Sequence, residues 1–354
     1  MAYFLRINVF SVLKIMWYLI LPLFCFMSHA STASKPKICM ILDKGGKDDH
    51  SFNESAVIGF QKALKTLPIS PDSKFVEPRT DTQIPLFFNN FSSSANCDLI
   101  VAIGFTPAGY VPAIAEKYPK KKYLVLDSNL EKQDKNKNIR SITFGEHEGS
   151  FLVGAIAAMK STTGKIGFIG GMDVPLIHRF ELGYASGAKY INPKINVTPT
   201  YVGVTPDAWN NPAKAKELAI SQYNNEIDII FQVAAASGQG VFDAAEEFNK
   251  SNPKIKHYAI GVDSNQNWVN PRVILTSMEK KVNVALYNGI KDLTENKFTP
   301  GHIVFGLKEG GVLWSLDQYN RKFFSKKDVD KINNIKQEII NNKIIVPDYY
   351  KLKQ

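Results

Sequence analysis

Cysteine is scarce in this chain of 354 residues, with three in all. Cys25 lies in the N-terminal apolar run, and Cys39 and Cys97 have no zinc-site spacing. Buried reduced thiols are the expectation for those two, with a disulfide as the alternative in an oxidising compartment. There is no G-x-S-x-G, no H-E-x-x-H and no P-loop, so the commonest nucleophile, zinc-protease and nucleotide signatures are absent. No long basic block interleaves with aromatics. The formal charge of +10 is spread over single lysines and short runs such as Lys120-Lys121-Lys122. That pattern reads as a solvated basic surface and points away from nucleic acid. No N-terminal helix-turn-helix segment precedes the folded region. The apolar run Ile15 to Met27 has 13 residues, short for a membrane span.

That run reads as the core of a secretory signal peptide over residues 1–30. Arg6 and Lys14 supply its positive region, and Ser28-His29-Ala30 or Ser31-Thr32-Ala33 offers a small-residue cleavage site. The expected product is a soluble periplasmic protein. Hydrophobic residues make up 44% of the chain, enough for sizeable cores, and the length suits two domains.

Strand-like and helix-like segments alternate throughout. Apolar strands are expected at Ile38–Leu42, Lys74–Glu77, Leu99–Ile103, Tyr123–Asp127 and Ile139–Phe144. A second series, beginning at Glu146, has strands at Lys165–Ile169, Val197–Gly203, Ile227–Val233, His257–Val262 and Val273–Met278. Helical patterns separate them, one opened by Pro107 and another by Pro212. Regular βα alternation implies parallel, doubly wound sheets with right-handed crossovers. The fold class is therefore α/β, a type I periplasmic-binding architecture of two doubly wound lobes joined by a hinge. The expected first lobe is 36–144 plus about 268–298, and the second is 145–267 plus about 299–326. A helix and tail over 327–354 are left without a lobe.

In an open α/β sheet, ligands bind beyond the carboxyl ends of the strands. The stretch Ile41 to Asn53, ILDKGGKDDHSFN, sits at such an end. Asp43 lies nine residues before Phe52, placing a carboxylate and an aromatic at one edge. On the residues alone this is equally a polar glycine-containing turn with a helix cap at Ser51. The pattern D-x-G-G-x-x-D-x-S-F-N resembles the opening signature of the basic membrane protein family. That family comprises extracytoplasmic nucleoside-binding receptors of ABC transporters, of which the purine nucleoside receptor is the type. FGEHEGSFLVGAIAAM, TGKIGFIGGMD and YAIGVDSNQ are further family-like pieces, and the resemblance covers essentially the whole mature chain. Family members are often lipoproteins, but Cys25 follows Leu23-Phe24, which does not support a lipid anchor.

The resemblance implies a ligand site and no cofactor. Phe52 and Trp209 would stack on a base, Trp209 standing where the family has Phe before a helix-opening Pro. Asp43 would recognise the base edge, with Asn53 beside it. Asp127, Asp263 and Lys280 would hold the ribose. Ala236 and Gly238 fall in a turn where the family brings backbone to the ligand, although Ala235 and Ala236 replace glycines. Strand-end aspartates also serve as helix caps. His147 and His178 are isolated and read as surface or cap residues.

The function implied is uptake of purine nucleosides, adenosine, guanosine or inosine, by a monomeric receptor delivering to an inner-membrane ABC permease. The main alternative is a binding protein for a sugar or other small ring compound. A nucleoside hydrolase would need a metal-binding aspartate cluster, for which Asp48-Asp49-His50 is the nearest candidate. An adhesin role remains open on sequence.

Overall fold

The computed structural model describes residues 35–95, 97–251 and 255–352. The expected signal peptide and Cys25 lie outside the described residues. Lys35–Gln354 form one compact unit.

The first sheet contains β1 (Ile38–Ile41), β2 (Lys74–Val76), β3 (Leu99–Ile103), β4 (Lys122–Leu126), β5 (Ile139–Phe144) and β11 (Gly301–Phe305). Its order is β11-β5-β4-β3-β1-β2, every pairing parallel. The second sheet contains β6 (Lys165–Met172), β7 (Asn196–Gly203), β8 (Ile229–Val233), β9 (Tyr258–Asp263), β10 (Ile274–Lys280) and β12 (Val312–Trp314). Its order is β12-β10-β9-β8-β6-β7, with only β12 antiparallel. Strands β1, β3 and β8 are wholly buried, as the continuous Val/Ile/Leu runs of a covered parallel sheet demand.

Helices α1 (Phe52–Thr66), α2 (Gln83–Ser93), α3 (Phe105–Ala108) and α4 (Val111–Lys117) belong to the first lobe. Helices α5 (Glu146–Lys160), α6 (Pro175–Ile191), α7 (Pro212–Asn224) and α8 (Gly238–Ser251) come next in the chain. Then come α9 (Val282–Thr294), α10 (Lys326–Ile340) and α11 (Tyr349–Leu352). Helix α2 is additional to the elements expected from sequence. The single helix expected from Pro107 breaks at Gly109-Tyr110 into α3 and α4, because Pro112 fits only a new first turn.

The return to the first lobe differs from expectation. The segment 268–298 divides: β10 pairs with β9 in the second sheet, whereas α9 packs on α1. Segment 299–326 divides the other way, β11 closing the edge of the first sheet and β12 the second. The chain therefore passes between lobes beside Gly145, Lys281 and Gly306–Gly311. These passages touch: Gly145 N donates to Phe305 O at 2.9 Å, and Lys281 N to Gly311 O at 2.8 Å. The C-terminal segment lies on the second lobe, α10 against α5 and α11 against α6.

Cys39 in β1 and Cys97 before β3 form a disulfide, with Cα atoms 6.0 Å apart, rather than two free thiols. Among the described residues no helix is long and apolar enough to cross a membrane.

Candidate functional site

A cavity lies between the carboxyl ends of the two sheets, the place where an open α/β fold presents its ligand site. Asp43, Phe52, Asn53, Asp127, Trp209, Asp263 and Lys280 all line it. The fold thus gathers seven of the nine expected residues from six separate strand-end or loop positions.

Asp43 follows β1. Its Oδ1 accepts from Lys44 N at 2.8 Å, and its Oδ2 from Thr106 N at 3.3 Å. Asn53 clamps the Asp43 backbone, accepting from its N–H at 3.1 Å and donating to its carbonyl at 3.3 Å. The carboxylate rests on Gly104, whose φ of 90° and missing Cβ leave it room. Burial pushes the Asp43 carboxyl up to about 6, against the pull of the bonds from Lys44 and Thr106.

Asp127 follows β4 and Asp263 ends β9, and both adopt left-handed backbone, with φ of 77° and 63°. This is uncommon for residues other than glycine, and such strain concentrates at functional sites. It turns both carboxylates off their strands into the cavity. Burial raises each to about 6, opposed in both by the charge of Lys280.

Lys280, the last residue of β10, is almost fully buried. Its Nζ lies 2.5 Å from Asp127 Oδ1 and 3.1 Å from Glu146 Oε1. It also stands 5.1 Å from the Phe52 ring centroid, 5.0 Å from Phe144 and 5.5 Å from Phe180. Burial alone would depress its pKa, but Asp127, Glu146 and Asp263 outweigh it and hold the ammonium above its ordinary value. Lys280 belongs to the second sheet and Asp127 to the first, so this ion pair bridges the lobes.

Phe52 opens α1 and is half-buried at the cavity. Trp209 sits in the 206–210 turn and packs against Gly171 of β6, where any Cβ would strike the indole. Gly170 and Gly171 both lie within β6 rather than ending it, and Gly171 makes room for the Trp209 ring.

Ala236 and Gly238 do not line the cavity. The chain turns at Ala235–Ser237, and Ser237 Oγ is used up by Ala208 O at 2.7 Å and Asn211 N at 2.6 Å. Gly238 then starts α8 against the side chain of Gln232. Val233 and Ala235 line the cavity in their place, Ala235 with a φ of 49°. Phe105, Leu176, Ile177 and Phe180 supply further apolar wall. Of these only Phe105 had a sequence signal, next to Gly104 at the end of β3.

Ser51 does not cap α1. Asp49 does so, accepting from Ser51 N, Asn53 N and Glu54 N at 2.9–3.0 Å. Asp49 is thereby committed, and neighbouring Asp48 pairs with Lys47 on the surface. His147 is only partly exposed. Its Nδ1 faces Arg179 Nη2 at 3.1 Å, and burial together with Arg179 pushes its pKa down to about 4. His178 bonds Asp173 and Glu181 and stacks on Tyr349 at 4.8 Å.

Residues 36–349 match the family described as ABC transporter substrate-binding protein, PnrA-like. Basic membrane protein A2 of Borrelia garinii subsp. bavariensis is 33% identical over 340 residues, 95% of either chain. The ABC transporter nucleoside-binding protein BmpA of Lactococcus lactis is 32% identical, covering 88% of this chain and 89% of that one. A solute-binding protein of an Aeropyrum pernix ABC transporter superposes with a TM-score of 0.78 and 28% identity, covering 88% of this chain and 94% of its own. An arabinose-binding protein from Geobacillus stearothermophilus, at 14% identity and a TM-score of 0.59, shares the fold alone.

Proposed function

The chain belongs to the PnrA-like family of ABC transporter substrate-binding proteins, which are receptors and not enzymes, and from that premise we propose that it binds purine nucleosides for uptake. In this reading adenosine, guanosine or inosine enters the inter-lobe cavity of a monomeric periplasmic protein, and an inner-membrane permease receives it. The observation that carries the reading is the composition of one cavity: aromatic Phe52 and Trp209 with strand-end Asp43, Asp127 and Asp263 around Lys280. A purine offers a flat apolar face, and offset stacking adds about 0.5–1.5 kcal/mol beyond area burial. A ribose offers vicinal hydroxyls, and a hydrogen bond to a charged acceptor contributes about 1.5–3 kcal/mol net. The nucleoside-binding description of the Lactococcus relative supports the same ligand class.

The alternative, a free sugar, leaves the long apolar wall of Phe105, Leu176, Ile177 and Phe180 without a counterpart. The test is calorimetric titration with adenosine, guanosine, inosine, cytidine, ribose and arabinose. Tight binding of purine nucleosides, with ribose and arabinose at least 100-fold weaker, is expected. Tight binding of a free sugar with no heat from any nucleoside would overturn the proposal.

A further inference from the structure

Five ionic side chains form an unbroken row from the C-terminal segment to the cavity. Asp348 takes Arg179 with both oxygens, at 2.8 Å from Nε and 3.1 Å from Nη2. Arg179 Nη1 pairs with Glu146 Oε2 and also donates to Phe144 O at 3.0 Å, at the end of β5. Glu146 Oε1 faces Lys280 Nζ at 3.1 Å, and Lys280 faces Asp127 Oδ1 at 2.5 Å. The side chains of Lys280, Glu146 and Arg179 are at most 5% exposed, and that of Asp348 is 11% exposed. The signs alternate from Asp348 to Asp127, as a buried row must for each charge to keep a counter-ion. His147 stays neutral beside Arg179 and adds no charge to the row. Neither Arg179 nor Asp348 lines the ligand cavity; both face a second hollow that adjoins it at Phe105, Asp127 and Leu176, together with Glu146.

We propose that Asp348 and Arg179 are positioning residues of the ligand site: the C-terminal segment is a strap that sets how Lys280 is shared between Glu146 and Asp127. It rests on the reading that a ligand hydroxyl is held by Asp127. Glu146 has two cationic neighbours, and its hold on Lys280 weakens as its hold on Arg179 strengthens. While Asp348 occupies two donors of Arg179, Glu146 keeps a share of Lys280. Without that charge Arg179 turns wholly to Glu146, and Lys280 settles on Asp127. Asp127 then has fewer lone pairs free for a ligand and ionises at lower pH. The direct loss of one negative charge acts in the same direction. The groups facing Asp127 are Lys280 of β10, Glu146 of α5, Asp263 of β9, Asp43 just after β1 and, more distantly, Tyr350 of α11. Asp348→Asn leaves every one of these in place.

The test is calorimetric titration of adenosine from pH 5 to 8 with the full chain and with Asp348→Asn, alongside thermal melts. Asp348→Asn should bind roughly tenfold more weakly at pH 7.5, about 1.4 kcal/mol. The acid midpoint of binding should move to lower pH. A merely structural strap would lower the melting temperature and leave that midpoint where it is, and an unmoved midpoint overturns the proposal. If Asp348→Asn does not fold, Asp348→Glu, which sets the charge one methylene farther out, should move the midpoint the same way by less, with the same overturning result. Carboxyl ¹³C titration of Asp127 in the ligand-free protein separates the two failures. If adenosine does not bind, the nucleoside reading fails, yet the Asp127 midpoint must still fall on loss of Asp348. If it does not fall, the strap fails whatever binds.

Discussion

Ser51 Oγ donates to Asp263 Oδ2 across the cleft at 2.8 Å. Ser51 precedes α1 of the first lobe, and Asp263 ends β9 of the second. Because Asp49 caps α1, the Ser51 hydroxyl is free for this bond. Two more bonds run beside it, Ser264 Oγ to Ser51 O and Gln266 Nε2 to His50 O, both at 2.9 Å. The first lobe's signature loop is thus tied to the strand end that carries one proposed ribose carboxylate, so closure and ligand recognition share an atom pair.

Ser51→Ala should therefore loosen this contact between the lobes without removing a residue that lines the cavity. A hydrogen bond to a charged group contributes about 1.5–3 kcal/mol net, so adenosine affinity should fall by about tenfold or more. Small-angle scattering should show a larger radius of gyration for the unliganded variant. Identical affinity and scattering curves would mean the bond is made and broken at no net cost.

Trp209→Ala should weaken nucleoside binding by about 1–3 kcal/mol, through lost stacking and buried area. The fold should hold, since the indole is only partly buried, resting on Gly171 at the cavity edge and against the margin of the core. Circular dichroism checks the fold and calorimetry the affinity. A variant with full affinity would remove Trp209 from the site.

The carboxylates at the site give stability and binding opposite responses to pH. Asp43, Asp127 and Asp263 are each raised by burial to about 6, above the ordinary value of 3.8. Between about pH 4 and 6 the folded protein holds more protons than the unfolded chain, so its stability falls as pH rises through that window. Ligand hydroxyls need the ionised form, so adenosine binding should strengthen over the same window. Thermal melts should show the ligand-free melting temperature falling from pH 4.5 to 7 and the adenosine-induced upward shift growing. A ligand-induced shift that is flat across that range would detach these carboxylates from binding.

The Cys39–Cys97 disulfide closes a separation of 58 residues and ties β1 to the entry of β3. Disulfides typically contribute about 2–4 kcal/mol. The double substitution Cys39→Ala with Cys97→Ala should lower denaturant stability by that amount and leave nucleoside affinity within about threefold, since neither residue lines the cavity. Unchanged stability would show that the bridge adds nothing to the sheet's own packing.

The strands were legible because fully buried parallel strands write themselves as continuous apolar runs, and the aspartates because they stand at the ends of those runs. Asp127 and Asp263 could be named from sequence alone as strand-end residues; their left-handed backbone could not. The lobe of β10 was not legible. A strand beside a crossover can join either sheet, and the packing of α9 on α1 fixes the lobe of that helix without fixing the lobe of the strand before it. The row through Glu146, Arg179 and Asp348 was also hidden, since its members lie 33 and 169 residues apart in sequence. Ala236 and Gly238 were placed at the ligand by resemblance, but a short turn moves the lining to Val233 and Ala235.

The ribose should matter as much as the base. Asp127 comes from the first lobe and Asp263 from the second, so a diol held by both would couple the sugar to closure. Each ionised carboxylate accepts charge-assisted hydrogen bonds, the stronger kind. In a ligand without the diol those desolvated oxygens lose their partners, and the penalty exceeds the net contribution of the bond itself. Adenine should therefore bind at least 100-fold more weakly than adenosine, about 2.7 kcal/mol, and 2′,3′-dideoxyadenosine should behave like adenine. Asp263→Asn should narrow that gap mainly by weakening the nucleoside, because the amide keeps the shape but donates where the carboxylate accepted. Parallel titrations of the three ligands against both proteins provide the comparison, repeated with guanine and guanosine. Equal affinity for adenine and adenosine would make the two aspartates elements of the hinge, partnered by Ser51 and Lys280, and recognition would then rest on Phe52 and Trp209.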